Sequence, residues 1–104
     1  MDVEVRVVEG CPNLLVTQHR LAAALDAVGR GDVDVRLRVV RTEAEAEALG
    51  FTGSPTILID SCDPFPDRHA VVGLSCRLYR TAEGASGSPS IEQLTAALAG
   101  ADPG

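Results

Sequence analysis

The sequence predicts a single α/β domain with a mixed four-stranded sheet and helices on both faces. Three observations predict it. Residues 3–8 and 33–40 alternate valine or leucine with charged residues, the two-residue period of strands, and 56–60 is apolar almost throughout. Between the first two lies a stretch with apolar residues at helical spacing. Thr42 with Glu45 and Ser90 with Gln93 have the three-residue spacing of capping boxes, which open further helices. At 104 residues the chain has the usual size of one domain and can bury a core without staples.

The first strand, β1 (3–8), sets Val3, Val5 and Val7 against Glu4 and Arg6. Helix α1 (13–28) follows, its stripe of Leu14, Leu21, Leu25 and Val28 confined to roughly 40° of arc. Pro12 suits the first helical turn, where its missing N–H is not needed, and Gly29 and Gly31 close the helix. Strand β2 (33–40) puts Val33, Val35, Leu37 and Val39 on one face and Asp34, Arg36 and Arg38 on the other, so one face is covered or the strand is an edge. Thr42 starts helix α2 (43–49) and Gly50 stops it. The apolar β3 (56–60) reads as a central strand. Residues 61–72, with Cys62, Pro64, Pro66 and Asp67, form a loop.

A fourth strand, β4 (73–80), sets Leu74, Cys76 and Leu78 on one face, which reads as core, and Ser75, Arg77 and Tyr79 on the other. A Gly/Ser turn at 84–88 leads to helix α3, whose buried face is Ile91, Leu94 and Leu98, and the tail 100–104 frays. The order β-α-β-α-β-β-α implies a right-handed parallel crossover and then a hairpin, giving the sheet order β2-β1-β3-β4 with β3 antiparallel to β1.

Composition excludes several classes of function. A net charge of −6 leaves no basic patch for nucleic acid or an anionic membrane surface. No apolar run approaches the roughly 18–20 residues that span a bilayer. All nine cationic side chains are arginine, so lysine Schiff-base chemistry is absent. Three cysteines and no signal-peptide pattern point to a reducing, cytoplasmic setting rather than a disulfide scaffold. Nothing calls for a cofactor.

The chemistry centres on Cys11, in the segment Gly10-Cys11-Pro12-Asn13 between β1 and α1. A thiol there lies over the free N–H groups and positive dipole end of the helix, a setting that favours a nucleophilic thiolate. The topology puts Gly53-Ser54-Pro55-Thr56 at the same pole, and Cys62 at the other, about 16 Å away along β3. Cys76 falls nearer Cys62 than Cys11, on the face of β4 that reads as buried. Cys62, Asp63, His69 and Cys76 are a candidate metal-ligand set, but their spacing matches no common zinc pattern, so no metal site is expected. His19 lies on the solvated flank of α1.

The element order, the Cys-Pro opening α1 and the Gly-Ser-Pro-Thr before β3 together resemble the thioredoxin-like fold over residues 3–99. The resemblance implies that Cys11 is the nucleophilic cysteine, that Pro55 is the cis-proline and that Pro12 is the proline of the glutaredoxin Cys-Pro variant. Position 14, where the second motif cysteine belongs, is Leu14, so any redox cycle is monothiol or borrows a distant or external thiol. The turn at 84–88 corresponds to the one that holds glutathione in glutaredoxins, although the Gly-Gly-Asp-like pattern is absent. Gly73-Leu74-Ser75-Cys76-Arg77-Leu78-Tyr79 also resembles small proteins labelled alkylmercury lyase-like. That likeness implies soft-metal chemistry on Cys62, Asp63 and Cys76.

The expected function is thiol–disulfide exchange through Cys11 with a protein or small-molecule thiol. Pro12, Asn13, Ser54, Pro55 and Thr56 bind the substrate, and the backbone at Ser54 pairs with a substrate strand. The alternatives are a thiolate binder of soft metals or organomercurials, and a non-catalytic interaction module or homodimer.

Overall fold

In the computed structural model, which describes residues 1–67 and 70–101, the valine alternation sets the sheet. The elements are β1 (Val3–Val8), α1 (Leu14–Ala27), β2 (Val35–Val40), α2 (Glu43–Leu49), β3 (Thr56–Ile59), β4 (Tyr79–Thr81), β5 (Gly84–Ser86) and α3 (Ile91–Ala101). β1 is the middle strand of a three-stranded mixed sheet ordered β2-β1-β3. It runs parallel to β2, with Val3 opposite Val35, and antiparallel to β3, with Val3 opposite Ile59 and Arg6 opposite Thr56.

Alternation along β1 assigns its residues to two cores. Val3, Val5 and Val7 pack with Ile57 and Ile59 against Leu21 and Leu25 of α1 and Leu94 and Leu98 of α3. Val8 joins a smaller cluster of Val40, Phe51 and Ala46 of α2 on the other face. Each fully buried valine or leucine stabilises the fold by about 1.5–3 kcal/mol over an exposed one. Glu4 and Arg6 share the second face and pair with each other at 2.8 Å, while Arg36 reaches Asp2 at 2.8 Å and Glu4 at 3.8 Å.

The helix signals act through hydrogen bonds. The Glu45 N–H donates to Thr42 Oγ1 at 3.1 Å, and at α3 both arms of the box form: Ser90 N–H to Gln93 Oε1, 2.9 Å, and Gln93 N–H to Ser90 Oγ, 3.1 Å.

The second half departs from expectation. Among the described residues no fourth strand joins β3. β4 is only Tyr79–Thr81 and pairs antiparallel with β5 in a separate two-stranded sheet. β5 occupies Gly84–Ser86, where a Gly/Ser turn was expected, so the turn of this hairpin is Ala82-Glu83. Residues 75–77 touch β3's end at one point, an isolated parallel bridge between Ser54 and Cys76. β3 is therefore an edge of the ladder, although Ile57 and Ile59 are buried.

The buried face of 73–80 is also the opposite of the one expected. Arg77 and Tyr79 are buried, whereas Leu78 is 72% exposed and Leu74 and Cys76 are exposed. The reason is pairing. The Arg77 side chain is 6% exposed, and its guanidinium meets Asp63 at 2.7 Å, donates to the Phe65 carbonyl and lies 4.7 Å from the centre of the Tyr79 ring. Phe65 stands edge-on to Tyr79 at 5.6 Å. A neutralised arginine with an apolar stem substitutes here for the leucines. Two smaller corrections concern α3, which continues through Gly100 and Ala101 and leaves Ile91 41% exposed.

Candidate functional site

Val8, the last residue of β1, organises the pole where the sequence puts its thiol. Its carbonyl accepts from Cys11 N–H at 3.2 Å, closing a tight turn. Gly10 occupies that turn at φ +73°, a conformation that favours glycine. The Val8 N–H donates to Ser54 Oγ at 3.0 Å. One residue thus anchors both the cysteine turn and the segment preceding β3, and the Ser54–Pro55 peptide bond is cis.

Cys11 is half-buried, packed against the core beneath α1 and α3. α1 begins at Leu14 with Asn13 as N-cap, so Pro12 precedes the helix instead of filling its first turn. The Cys11 carbonyl accepts from Leu14 N–H at 3.4 Å, which places the cysteine one tight turn ahead of the helix. Asn13 makes no side-chain cap bond. Its amide lies against Gly87, where an added Cβ would come within 2.3 Å of it, and Arg20 of the same helix donates to the carbonyls of Ser88 and Pro89. α1 therefore holds the chain entering α3.

Ser54, Pro55 and Thr56 are all buried. The Ser54 N–H donates to Ser75 C=O at 2.8 Å, and its carbonyl accepts from Arg77 N–H at 2.9 Å. The Pro55 carbonyl accepts from the Tyr79 hydroxyl, and Thr56 Oγ1 donates to the Gly53 carbonyl. Burial pushes the Tyr79 phenol above its usual value; Arg77 lowers it in part and Asp63 raises it further. Gly53, at φ +131°, lies so close to Arg77 that a Cβ there would come within 3.0 Å of the arginine's Cβ. The main-chain groups expected to pair with a substrate strand are thus already bonded to residues 75–77.

The three cysteines are free and do not gather. Cys62 pairs with Ile59 at the Val3 end of β3, the pole expected for it. Cys76 was expected nearer Cys62 and buried; it is exposed and bridges Ser54, on the pole of Cys11. Asp63 turns to Arg77, and His69 lies outside the described residues. Among the described residues no group of three His, Cys, Asp or Glu is placed to hold a metal ion. The glutathione-type turn is not formed, since Gly84–Ser86 is a strand. His19 is exposed, as expected. No helix among the described residues is long and apolar enough to cross a membrane.

Sequence reasoning missed the Asp63–Arg77–Tyr79 group. The signal was present as Arg77 and Tyr79 two residues apart on one strand face, but the opposite face, with Leu74, Cys76 and Leu78, was read as the core. No protein-family model, curated protein or solved structure matches this chain.

Proposed function

We propose that this chain is a monothiol protein of thioredoxin-like type that exchanges thiols with a small disulfide through Cys11. The observation that carries the reading is Val8, whose two main-chain groups hold Cys11 at 3.2 Å and the Ser54–Pro55 segment at 3.0 Å. A strand, a tight turn, a cysteine and a helix beside a buried proline segment suit a fixed, partly open thiol.

The Cys11 sulfur, as thiolate, attacks one sulfur of a disulfide RS–SR. A Cys11–S–S–R bond forms and RS⁻ leaves. An external thiolate R′S⁻ then attacks the R sulfur of that bond, so that RS–SR′ forms and the Cys11 thiolate leaves and is restored. Leu14 stands where an internal resolving cysteine would be, so the second thiol comes from solution. A small substrate suits the site better than a protein strand, because the Ser54 N–H and C=O are engaged by Ser75 and Arg77.

The test is site-resolved mass spectrometry with hydroxyethyl disulfide, alongside exchange rates, on wild type, Cys11→Ser and the Cys62→Ser/Cys76→Ser pair. The mixed disulfide is expected first on Cys11, with the pair variant keeping the wild-type rate and Cys11→Ser at least tenfold slower. If Cys62 or Cys76 reacts first, or Cys11→Ser keeps its rate, the proposal fails.

A further inference from the structure

We propose that the outer edge of β2 docks an extended segment of a partner protein in which apolar and acidic residues alternate. Three observations support it, none of them involving Cys11.

The first is the free ladder. Among the described residues β2 pairs only with β1, so alternate main-chain groups along Val35–Val40 face outward. Which ones follows from Val8: its N–H points to β3, so the odd residues of β1 bond β2 through the even residues of β2. The N–H and C=O of Leu37 therefore point away from β1.

The second is an apolar shelf. Val35 and Leu37, 37% and 47% exposed, share the sheet face that α1 covers. They border a groove of about 390 Å³ with Ala22 and Leu25 of α1 and Val33. Apolar side chains of an added strand would lie along that shelf.

The third is charge on the opposite face. Arg36 already has acids inside the molecule, Asp2 and Glu4. Arg38 does not. Its register neighbour on β1 is another arginine, Arg6, whose guanidinium is taken by Glu4 at 2.8 Å. Among the described residues Arg38 has no acidic partner, and like charges directly opposite each other are unfavourable. The side open to an acid is the outer one. β1 itself is the template, presenting valines beneath α1 and Glu4 beside Arg36.

A second copy of the chain fits less well. Antiparallel pairing of β2 with β2 about Leu37 sets Arg36 opposite Arg38 at both ends.

The experiment uses the full chain and a labelled, end-capped peptide Ser-Glu-Val-Glu-Val-Glu-Ser, with glutamine and lysine versions as controls, read by fluorescence anisotropy and amide NMR. Saturable binding in the range of about 10–100 µM at low salt is expected, as for a small transient interface, with shifts concentrated at 35–39. The glutamine peptide should bind at least fivefold more weakly. Arg38→Glu should weaken the glutamate peptide at least tenfold and favour the lysine peptide instead. Leu37→Pro, which removes an outward N–H, should abolish binding with the circular dichroism unchanged. The charge reversal stands as a test even if the proline variant does not fold. No saturation by 1 mM (about a thirtyfold margin over the expected mid-range), equal binding of all three peptides, or self-association through this edge in sedimentation would overturn the proposal. Failure to bind would leave the arginines only the guarding role that charges have at sheet edges.

Discussion

Tyr79→Phe removes one oxygen atom and tests how the C-terminal half is fastened to the sheet. The hydroxyl donates to the buried Pro55 carbonyl, and the ring, 4% exposed, lies between Phe65 and the Arg77 guanidinium. Phenylalanine keeps the ring contacts and leaves the carbonyl unpaired, a loss of about 1–3 kcal/mol. With a urea slope of about 1–3 kcal/mol/M, the unfolding midpoint should fall by about 1 M with the slope unchanged. An alkaline arm makes the test specific. Burial raises the phenol above its ordinary 10.0, so the unfolded chain loses this proton first. The contribution is complete below about pH 10 and falls by about 1.4 kcal/mol per pH unit above it, until the folded phenol itself titrates. Tyr79→Phe lacks that term, so wild type and variant should converge as pH rises. The chain has one tyrosine and no tryptophan, so phenolate absorbance reads Tyr79 alone. A native phenol titrating at the same pH as in denaturant, with circular dichroism intact, would refute the reasoning. So would a loss below about 0.5 kcal/mol on substitution.

Three further outcomes are expected. Thr17 is fully buried with its hydroxyl unpaired, so Thr17→Val should be neutral or stabilising by about 1 kcal/mol in urea unfolding; a loss above about 1 kcal/mol would mean the hydroxyl has a partner. Asp63→Ala leaves the buried Arg77 guanidinium without its acid, facing the Phe65 carbonyl and the Tyr79 ring, and should destabilise by about 2–4 kcal/mol, whereas Arg77→Met/Asp63→Ala together should recover at least half of that. Gly53→Ala combines a left-handed φ with a contact at 3.0 Å to Arg77 and should cost about 2–3 kcal/mol; a thermal midpoint within 2 °C of wild type (about 0.5 kcal/mol) would show that the turn relaxes freely.

Legibility in the sequence followed the strength of periodicity and the presence of caps. Val3, Val5 and Val7 are buried together because valine against charge leaves one reading of β1, and Thr42 and Ser90 mark their helices through short-range bonds. β3 was legible as apolar, but apolarity says only that it is covered, not that a strand pairs on both sides. Residues 73–80 misled because hydropathy ranks Leu74 and Leu78 above Arg77. The ranking inverts once Asp63, fourteen residues upstream, neutralises the guanidinium, and that partner lies across a loop no local pattern reaches. β5 was missed because Gly84-Ala85-Ser86 has turn composition; its pairing with Tyr79–Thr81 is what makes it a strand. At the candidate site, the turn at Cys11 and the cis bond at Pro55 lie where the local motifs put them. The occupancy of Ser54 by Ser75 and Arg77 was not legible, since it depends on where the later segment returns.

β1 feeds both hydrophobic clusters from the middle of the three-stranded sheet and pairs with a strand on each side, whereas β2, which reaches them through Val39 and Val40, pairs with β1 alone among the described residues. Slipping it by one position would turn Glu4 and Arg6 into the larger cluster and push the three valines out, while unseating Val8 from the smaller one. Errors in either flanking strand disturb only one boundary. The registration of this six-residue segment is therefore the most stringently encoded alignment in the chain, and damage to it would be felt on both sides of the molecule at once.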